Sequence, residues 1–236
     1  MRIFAIADLH LPGGQEKPMH VFGAHWERHF EKISRDWCDR VTGEDIVLLP
    51  GDLSWAMRLE DALEDIRAVA ALPGRKVILR GNHDYWWNSI SSLRHQLPEG
   101  MFAVQNDAVS LDGVVICGTR GWTPVTENSS KEDLKIYDRE VLRMKLSLDS
   151  AARLKGERLI VMMHYPPMNE RFEDSPFTSL VEPFAPCDLV YGHLHGSSFR
   201  EAFNGMRGGV RYTCVACDGL RFRLADLTAR PGEEQE

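Results

Sequence analysis

Five short aliphatic runs in this chain each stop abruptly at residues of the kinds that hold metal ions. Arg2 to Ala7 leads into Asp8-Leu9-His10, Ile46 to Pro50 into Gly51-Asp52, and Lys76 to Leu79 into Gly81-Asn82-His83-Asp84. Leu159 to Met163 leads into His164, and Leu189 to Tyr191 into Gly192-His193-Leu194-His195. Each run has the length and the Ile/Val/Leu content of a strand buried on both faces, as parallel sheets require. A lone Asp after a strand is usually a turn former, but five matched endings are hard to explain by packing.

Helical spacing fills the gaps. Phe22, Trp26, Phe30, Ile33 and Trp37 predict one helix, and Leu59, Leu63, Ile66 and Ala70 a second that ends at Pro73-Gly74. Ser129-x-x-Glu132 reads as a capping box opening a long third helix, with Leu134, Tyr137, Val141, Met144, Leu148 and Ala151 on its apolar face. Ile136, Leu142 and Leu146 widen that face toward a globular core and away from a coiled-coil seam. Further strands are expected at Val114 to Cys117, Phe199 to Phe203, Val210 to Cys214 and Leu220 to Leu224, the last three as an antiparallel group in a second sheet.

Strands alternating with helices predict an α/β layered fold whose ligands gather at the carboxyl ends of the strands. One site drawing on residues 8 to 195 would be taken apart by a domain boundary, so a single domain is expected over residues 1–228, followed by a polar tail at 229–236. With 28 Lys and Arg against 35 Asp and Glu, the formal charge of −7 argues against coating nucleic acid, though a local cationic site is still compatible with binding a phosphate. No apolar stretch approaches the ~20 residues of a spanning helix, and no signal-peptide pattern opens the chain, so a cytoplasmic protein is expected. The five cysteines are too few and scattered for a disulfide framework. Cys214-x-x-Cys217 lacks the second pair that a zinc ribbon needs. His25 and His29 stand at i, i+4 on the first expected helix, without the zincin spacing, and are read as ordinary helix residues.

Asp8, His10, Asp52, Asn82, His164, His193 and His195 would therefore converge, with His83 and Asp84 beside them. This mixed oxygen and nitrogen donor set suits Mn²⁺, Fe, Zn²⁺ or Co²⁺ better than Ca²⁺. Seven ligands exceed one ion's needs but serve two divalent ions about 3.5–4 Å apart, above all if Asp52 bridges them. Two such ions, two carboxylates and a bridging hydroxide leave roughly one net positive charge, enough to draw in a phosphate despite the acidic exterior.

The ordered blocks Asp8-x-His10, Gly51-Asp52, Gly81-Asn82-His83-Asp84, His164 and Gly192-His193-x-His195 resemble the signature of the calcineurin-like metallophosphoesterases. The resemblance implies a four-layer αββα sandwich, two mixed β-sheets flanked by helices, around a dinuclear centre. By the same resemblance Asp8, His10 and His195 hold the first metal, Asn82, His164 and His193 the second, and Asp52 bridges. The implied activity is phosphate-ester hydrolysis, diester preferred, by attack of the bridging hydroxide, with manganese the first choice of metal. His83 is expected to stabilise or protonate the leaving oxygen, with Asp84 orienting its imidazole and raising its pKa.

Ala7-Asp8-Leu9-His10-Leu11 and Gly51-Asp52-Leu53-Ser54-Trp55-Ala56 depart from the phosphoprotein-phosphatase blocks, and the phosphate-clamping arginine of the second block is missing. The chain looks more similar to bacterial-type phosphodiesterases and small-molecule phosphohydrolases. Arg120, Trp122, Asn169 and Arg171 are the candidates for contacting a phosphorylated small-molecule substrate; Trp86 and Trp87 are as readily packing residues beneath the metals. A phosphomonoesterase or a nuclease would share the centre, the latter needing a basic groove for which Arg200, Arg207, Arg211, Arg221 and Arg223 are the available cations. A metal-stabilised interaction module that has lost turnover is the reading from another class, and the intact ligand set weighs against it.

Overall fold

A computed structural model describes residues 1–15 and 17–233; residues 234–236 of the expected tail lie outside the described residues. Two sheets stack face to face. The first runs in the order β11 (Ala225–Asp226), β1 (Ile3–Ala5), β2 (Ile46–Pro50), β3 (Arg75–Leu79), β4 (Met101–Val104). The second runs β5 (Ala108–Leu111), β6 (Val114–Thr119), β7 (Arg158–Met163), β8 (Cys187–Tyr191), β10 (Val210–Cys214), β9 (Gly205–Arg207). β1 to β4 are mutually parallel, as are β6, β7, β8 and β10, while β11, β5 and β9 pair antiparallel at the edges. Parallel pairing is why the ligand-bearing carboxyl ends all emerge on one side.

Alternation along each strand divides three apolar layers. In β2, Ile46 and Leu48 face the second sheet with Ile3, Val77, Ile116, Ile160 and Val190. Val47 and Leu49 face the helices α1 (His29–Arg40), α2 (Leu59–Ala70) and α3 (Ile90–Gln96), packing with Ile33, Trp37, Ile66 and Leu93. On the far side Val115, Val161 and Leu189 meet Tyr137, Met144 and Leu148 of α4 (Lys131–Ala151) and Phe177 of α5 (Pro176–Val181). The expected αββα sandwich is the observed architecture.

Several local expectations were wrong for reasons visible in the backbone. The first helix does not run from Phe22; Gly23 at φ 129° and Arg28 at φ 51° interrupt it, leaving two 3₁₀ turns before α1 begins at His29. His25 and His29 therefore do not share a helix. Phe199 to Phe203 is not a strand: its two rings are four residues apart, a helical spacing, and Ser198–Glu201 forms a 3₁₀ turn. Leu220 to Leu224 is a turn with Arg221 and Phe222 both at positive φ, and the short β11 that follows joins the first sheet. Val210 to Cys214 is a strand but runs parallel to β8. The cap of α4 is Ser130, whose hydroxyl accepts from the Asp133 N–H, one residue beyond the expected box. Leu142 and Leu146 point outward, 57% and 47% exposed, so they do not widen the core face.

One buried ion cluster ties the carboxyl-terminal segment to the second sheet. Asp188, fully buried on β8, pairs with Arg158 at 2.7 Å and Arg211 at 2.6 Å, and both guanidinium groups also donate to the carbonyls of Leu227 and Ala229. Removing the acid would leave two confined cations unbalanced. Asp188→Ala is expected to cost about 3–5 kcal/mol of unfolding free energy in urea titrations; a loss below about 1 kcal/mol, the range of exposed pairs, would contradict this reading.

Candidate metal centre

The five polar strand endings meet. Beyond β1 the chain turns at Asp8 and His10, beyond β2 at Asp52, and beyond β8 at His193, and these four residues all take positive φ, between 46° and 72°. Asp and His tolerate that region at some cost, and such strain is characteristic of sites held in place by their surroundings. The neighbouring glycines are needed for close approach: a Cβ at Gly81 would sit 2.1 Å from Asp52 Oδ1, and one at Gly192 2.6 Å from Asp8 Oδ2.

Two donor groups result, each with its ligand atoms within 4.8 Å of one another: Asp8, His10 and His195, and Asp8, Asp52 and His164. Asn82 Oδ1 lies 2.6 Å from His164 Nε2 and 3.0 Å from His193 Nδ1, bringing those three together. Asp52 Oδ2 stands 3.8 Å from His10 Nε2 and 3.5 Å from His164 Nε2, between the two groups. His164 Nδ1 faces the Pro50 carbonyl at 3.2 Å, which favours a proton there and leaves Nε2 free as a donor atom.

The residues fit divalent cations on electrostatic grounds. Asp8 and His164 are fully buried and Asp52 nearly so, and Asp8 Oδ1 and His10 Nδ1 have no hydrogen-bond partner among the described residues. Without cations, burial raises Asp8 to about 8 and Asp52 to about 6, and pushes His164 to about 3. Burial, followed by the charge of His164, likewise lowers His193 to about 3, and burial drives His10 well below its usual range. Buried neutral imidazoles with lone pairs directed at buried carboxylates are a prepared ligand set.

Sequence reasoning missed Asp218. It follows β10 just as the other ligand-type residues follow their strands, so the same signal could have found it. Its Oδ1 bonds His195 Nδ1 at 2.8 Å and its Oδ2 accepts from the Gly196 N–H at 2.9 Å. Burial opposes protonation of His195, but the Asp218 bond and the Asp8 charge outweigh it and raise His195 to about 9.

Asp84 does not orient His83. Its buried carboxylate accepts from five N–H donors: Asp52, Leu53, Ser54, Gly81 and the Trp86 indole, at 2.7–3.2 Å. It clamps the Asp52 turn to the Gly81 turn instead, because the chain reverses between residues 81 and 86 and brings that carboxylate beneath both. His83 is half-buried, donates its backbone N–H to Asp52 Oδ1 at 2.8 Å, and packs its ring 4.3 Å from Trp55; its Nδ1 is unpartnered among the described residues. Its pKa is lowered, by burial first, so the expected rise is also reversed. Trp86 and Trp87 are buried.

The substrate candidates divide. Arg120 offers its carbonyl to the N–H groups of His164 and Tyr165, while its guanidinium lies 3.7 Å from Glu140 and over the Trp122 ring. Trp122 donates its indole N–H to Asp133 at 3.1 Å. Asn169 is spent within its own loop, donating to Glu173 at 2.6 Å and accepting from two backbone N–H groups. Arg171 lines a cavity that also reaches His193. Arg207 and Arg211, two cations of the basic groove a nuclease would need, are engaged by Asp174 and Asp188. The Cys217 thiol donates to the Asp8 carbonyl at 3.0 Å.

Stacked mixed sheets with buried carboxylate and imidazole clusters at one end define an α/β protein with a candidate metal centre. The profile of the calcineurin-like phosphoesterases matches residues 1–197, and the chain belongs to that family. Among solved structures it is similar to the phosphopantetheinyl hydrolase PptH of Mycobacterium tuberculosis, at TM-score 0.55 and 15% identity, covering 100% of this chain and 98% of that one. It also matches a protein of unknown function, AQ665 of Aquifex aeolicus, at TM-score 0.49 and 16% identity over 95% of both chains. No curated protein matches the sequence. Among the described residues no helix is long and apolar enough to cross a membrane.

The buried acids make the metal-free protein sensitive to alkali. Above about 6.5 the folded state keeps protons on Asp8 (to about 8), on Asp84 (raised to about 7 by burial and by Asp52) and on His195 (to about 9) that the unfolded chain releases. The depressed histidines act in the opposite sense only below 6.5, where unfolded imidazoles take up protons. Thermal stability with chelator present is therefore expected to fall between about pH 6.5 and 8, and added Mn²⁺ to remove that slope; a chelated protein with a flat or rising profile would count against the cluster. Asp218→Asn should weaken the tightest metal by about 10–100-fold in calorimetric titrations, and unchanged affinity would deny Asp218 its positioning role.

Proposed function

We propose that this protein hydrolyses a phosphodiester, with Asp8, His10 and His195 holding one divalent cation, Asn82, His164 and His193 a second, and Asp52 shared between them. The observation that carries this reading is the position of Asp52 Oδ2, within 3.8 Å of the imidazole nitrogens of both groups. When bound, such cations supply Lewis-acid charge to phosphoryl oxygens and acidify water into a nucleophile.

The chain's own residues do the rest. Asp84 and its five donors hold the Asp52 and Gly81 turns at fixed separation, which keeps the ligand set preorganised. His83, neutral near pH 7 and half-open to solvent, presents an N–H to the leaving oxygen and stabilises charge that develops there. Trp55, stacked 4.8 Å from His10, and Trp26, whose ring centroid is 5.8 Å from that of His195, pack against the first ligand group and help to keep His10 buried. Manganese is the first metal to test, since carboxylate, amide and imidazole donors all suit it.

Protein loaded with Mn²⁺ is expected to hydrolyse a chromogenic phosphodiester faster than the matching monoester. Asp52→Asn should lower both the bound metal, by elemental analysis, and kcat/KM by orders of magnitude. His83→Ala should keep the metal and cost about 10²–10⁴-fold in kcat, more for an alkyl leaving group than for nitrophenol. Full activity in both variants, or an equal loss for both leaving groups in the His83 variant, would refute the respective role.

A further inference from the structure

A cavity of about 790 Å³ opens beside the centre, with His193 in its wall. It is of the size that encloses a small organic group, far larger than a phosphate needs. Its walls come from the loop after β6, the loop after β7 and the turn after β8. The loop over residues 168–174 is built rigidly: Asn169 bonds across it, and Arg207 on β9 reaches the Phe172 carbonyl and pairs with Asp174 at 2.5 Å.

The lining has two properties. Tyr165, Met168, Phe172, Leu194 and Phe203 give it apolar and aromatic faces, with the Tyr165 ring 4.2 Å from that of His193. Among the described lining residues its charged groups are Glu127, Glu170, Glu173 and Glu201 against Arg171; Glu173 accepts from Asn169, and Arg207 is not in the wall. Lys17, which lies over Trp55 at 4.3 Å, is not in this wall. A second anionic group placed here would be repelled by an excess of carboxylates, whereas an apolar arm gains burial.

We infer that this cavity seats the leaving alcohol of the substrate, and that this alcohol is an extended, partly apolar group without negative charge. The inference rests on the phosphodiester reading above and adds the substrate class. In the reaction the P–O bond to the arm breaks as an O–P bond to water forms. The departing alkoxide takes up a proton, so a monoester and a free, non-anionic alcohol are released. Nucleotide polyphosphates and nucleic-acid strands are poor fits for such a wall.

The test uses methyl phosphodiesters of one linear alkyl arm ended in an ammonium, a hydroxyl or a carboxylate, with the released alcohol measured by chromatography on the Mn²⁺-loaded protein. The hydroxyl and ammonium arms are expected to exceed the carboxylate arm in kcat/KM by about tenfold or more, which is about 1.4 kcal/mol. The paired change Glu170→Gln with Glu201→Gln should narrow that ratio. Equal or better turnover of the carboxylate arm, or a ratio the paired change leaves untouched, overturns the inference while leaving the hydrolase reading intact. Loss of turnover with all three arms would strike the hydrolase reading instead. The cavity is then judged by ligand-observed NMR of the free alcohols on the metal-free protein: saturation transfer to the hydroxyl and ammonium arms supports it, and stronger transfer to the carboxylate arm overturns it.

Discussion

Charge confined in a dry place governs this molecule. Asp8, Asp52 and Asp84 are all buried beyond the carboxyl ends of β1, β2 and β3, where desolvation is the largest cause raising each of them above its ordinary range. Each is answered differently. Asp84 is surrounded by backbone and indole N–H groups and serves as a clamp. Asp8 and Asp52 face His10 and His164, whose burial disfavours the charged form, while His195 is raised to about 9 by Asp218 and Asp8; one imidazolium does not balance the buried acids. The fit of these groups to metal ions is thus a consequence of the architecture and not merely of residue types.

That fit is met by geometry that the backbone maintains under strain. Four of the converging residues sit at positive φ, and two glycines are packed against the carboxylates so closely that a methyl group would collide. Three apolar layers hold the sheets beneath them, so the turns have little freedom to relax. Around this rigid floor the functional variety lies in the loops. Those after β6, β7 and β8 build a roomy, acidic-walled recess on the His193 side, while Trp26 and Trp55 pack against His195 and His10 of the other ligand group.

The errors made from sequence have a common origin. Where periodicity is broken by a single residue in an unusual conformation, as at Gly23 and Arg28 before α1 or at Arg221 and Phe222 before β11, pattern reading runs on through the break. The edge strands β4, β5 and β9 span only three or four residues, and so short a run has no readable period. Asp84 was assigned to its sequence neighbour His83, yet its partners lie about thirty residues back in the chain as well as beside it, and no local rule reports that. Asp218 stands four residues beyond β10 and reaches the centre only through His195, a relation that its spacing along the chain does not report.

By itself the sequence determined the layered class, the strands that carry the centre and the identity of the converging ligand-type residues. Buried parallel strands write a short unbroken aliphatic run, and their ends are where polar chemistry must begin. Only the tertiary structure decided which carboxylate faces which imidazole, that Asp52 lies between two donor groups, that Asp84 clamps turns and Asp218 steadies His195, and that a large recess adjoins His193. Those relations depend on the crossing of separate sheets and the folding of long loops, and distance in space is not encoded by spacing along the chain.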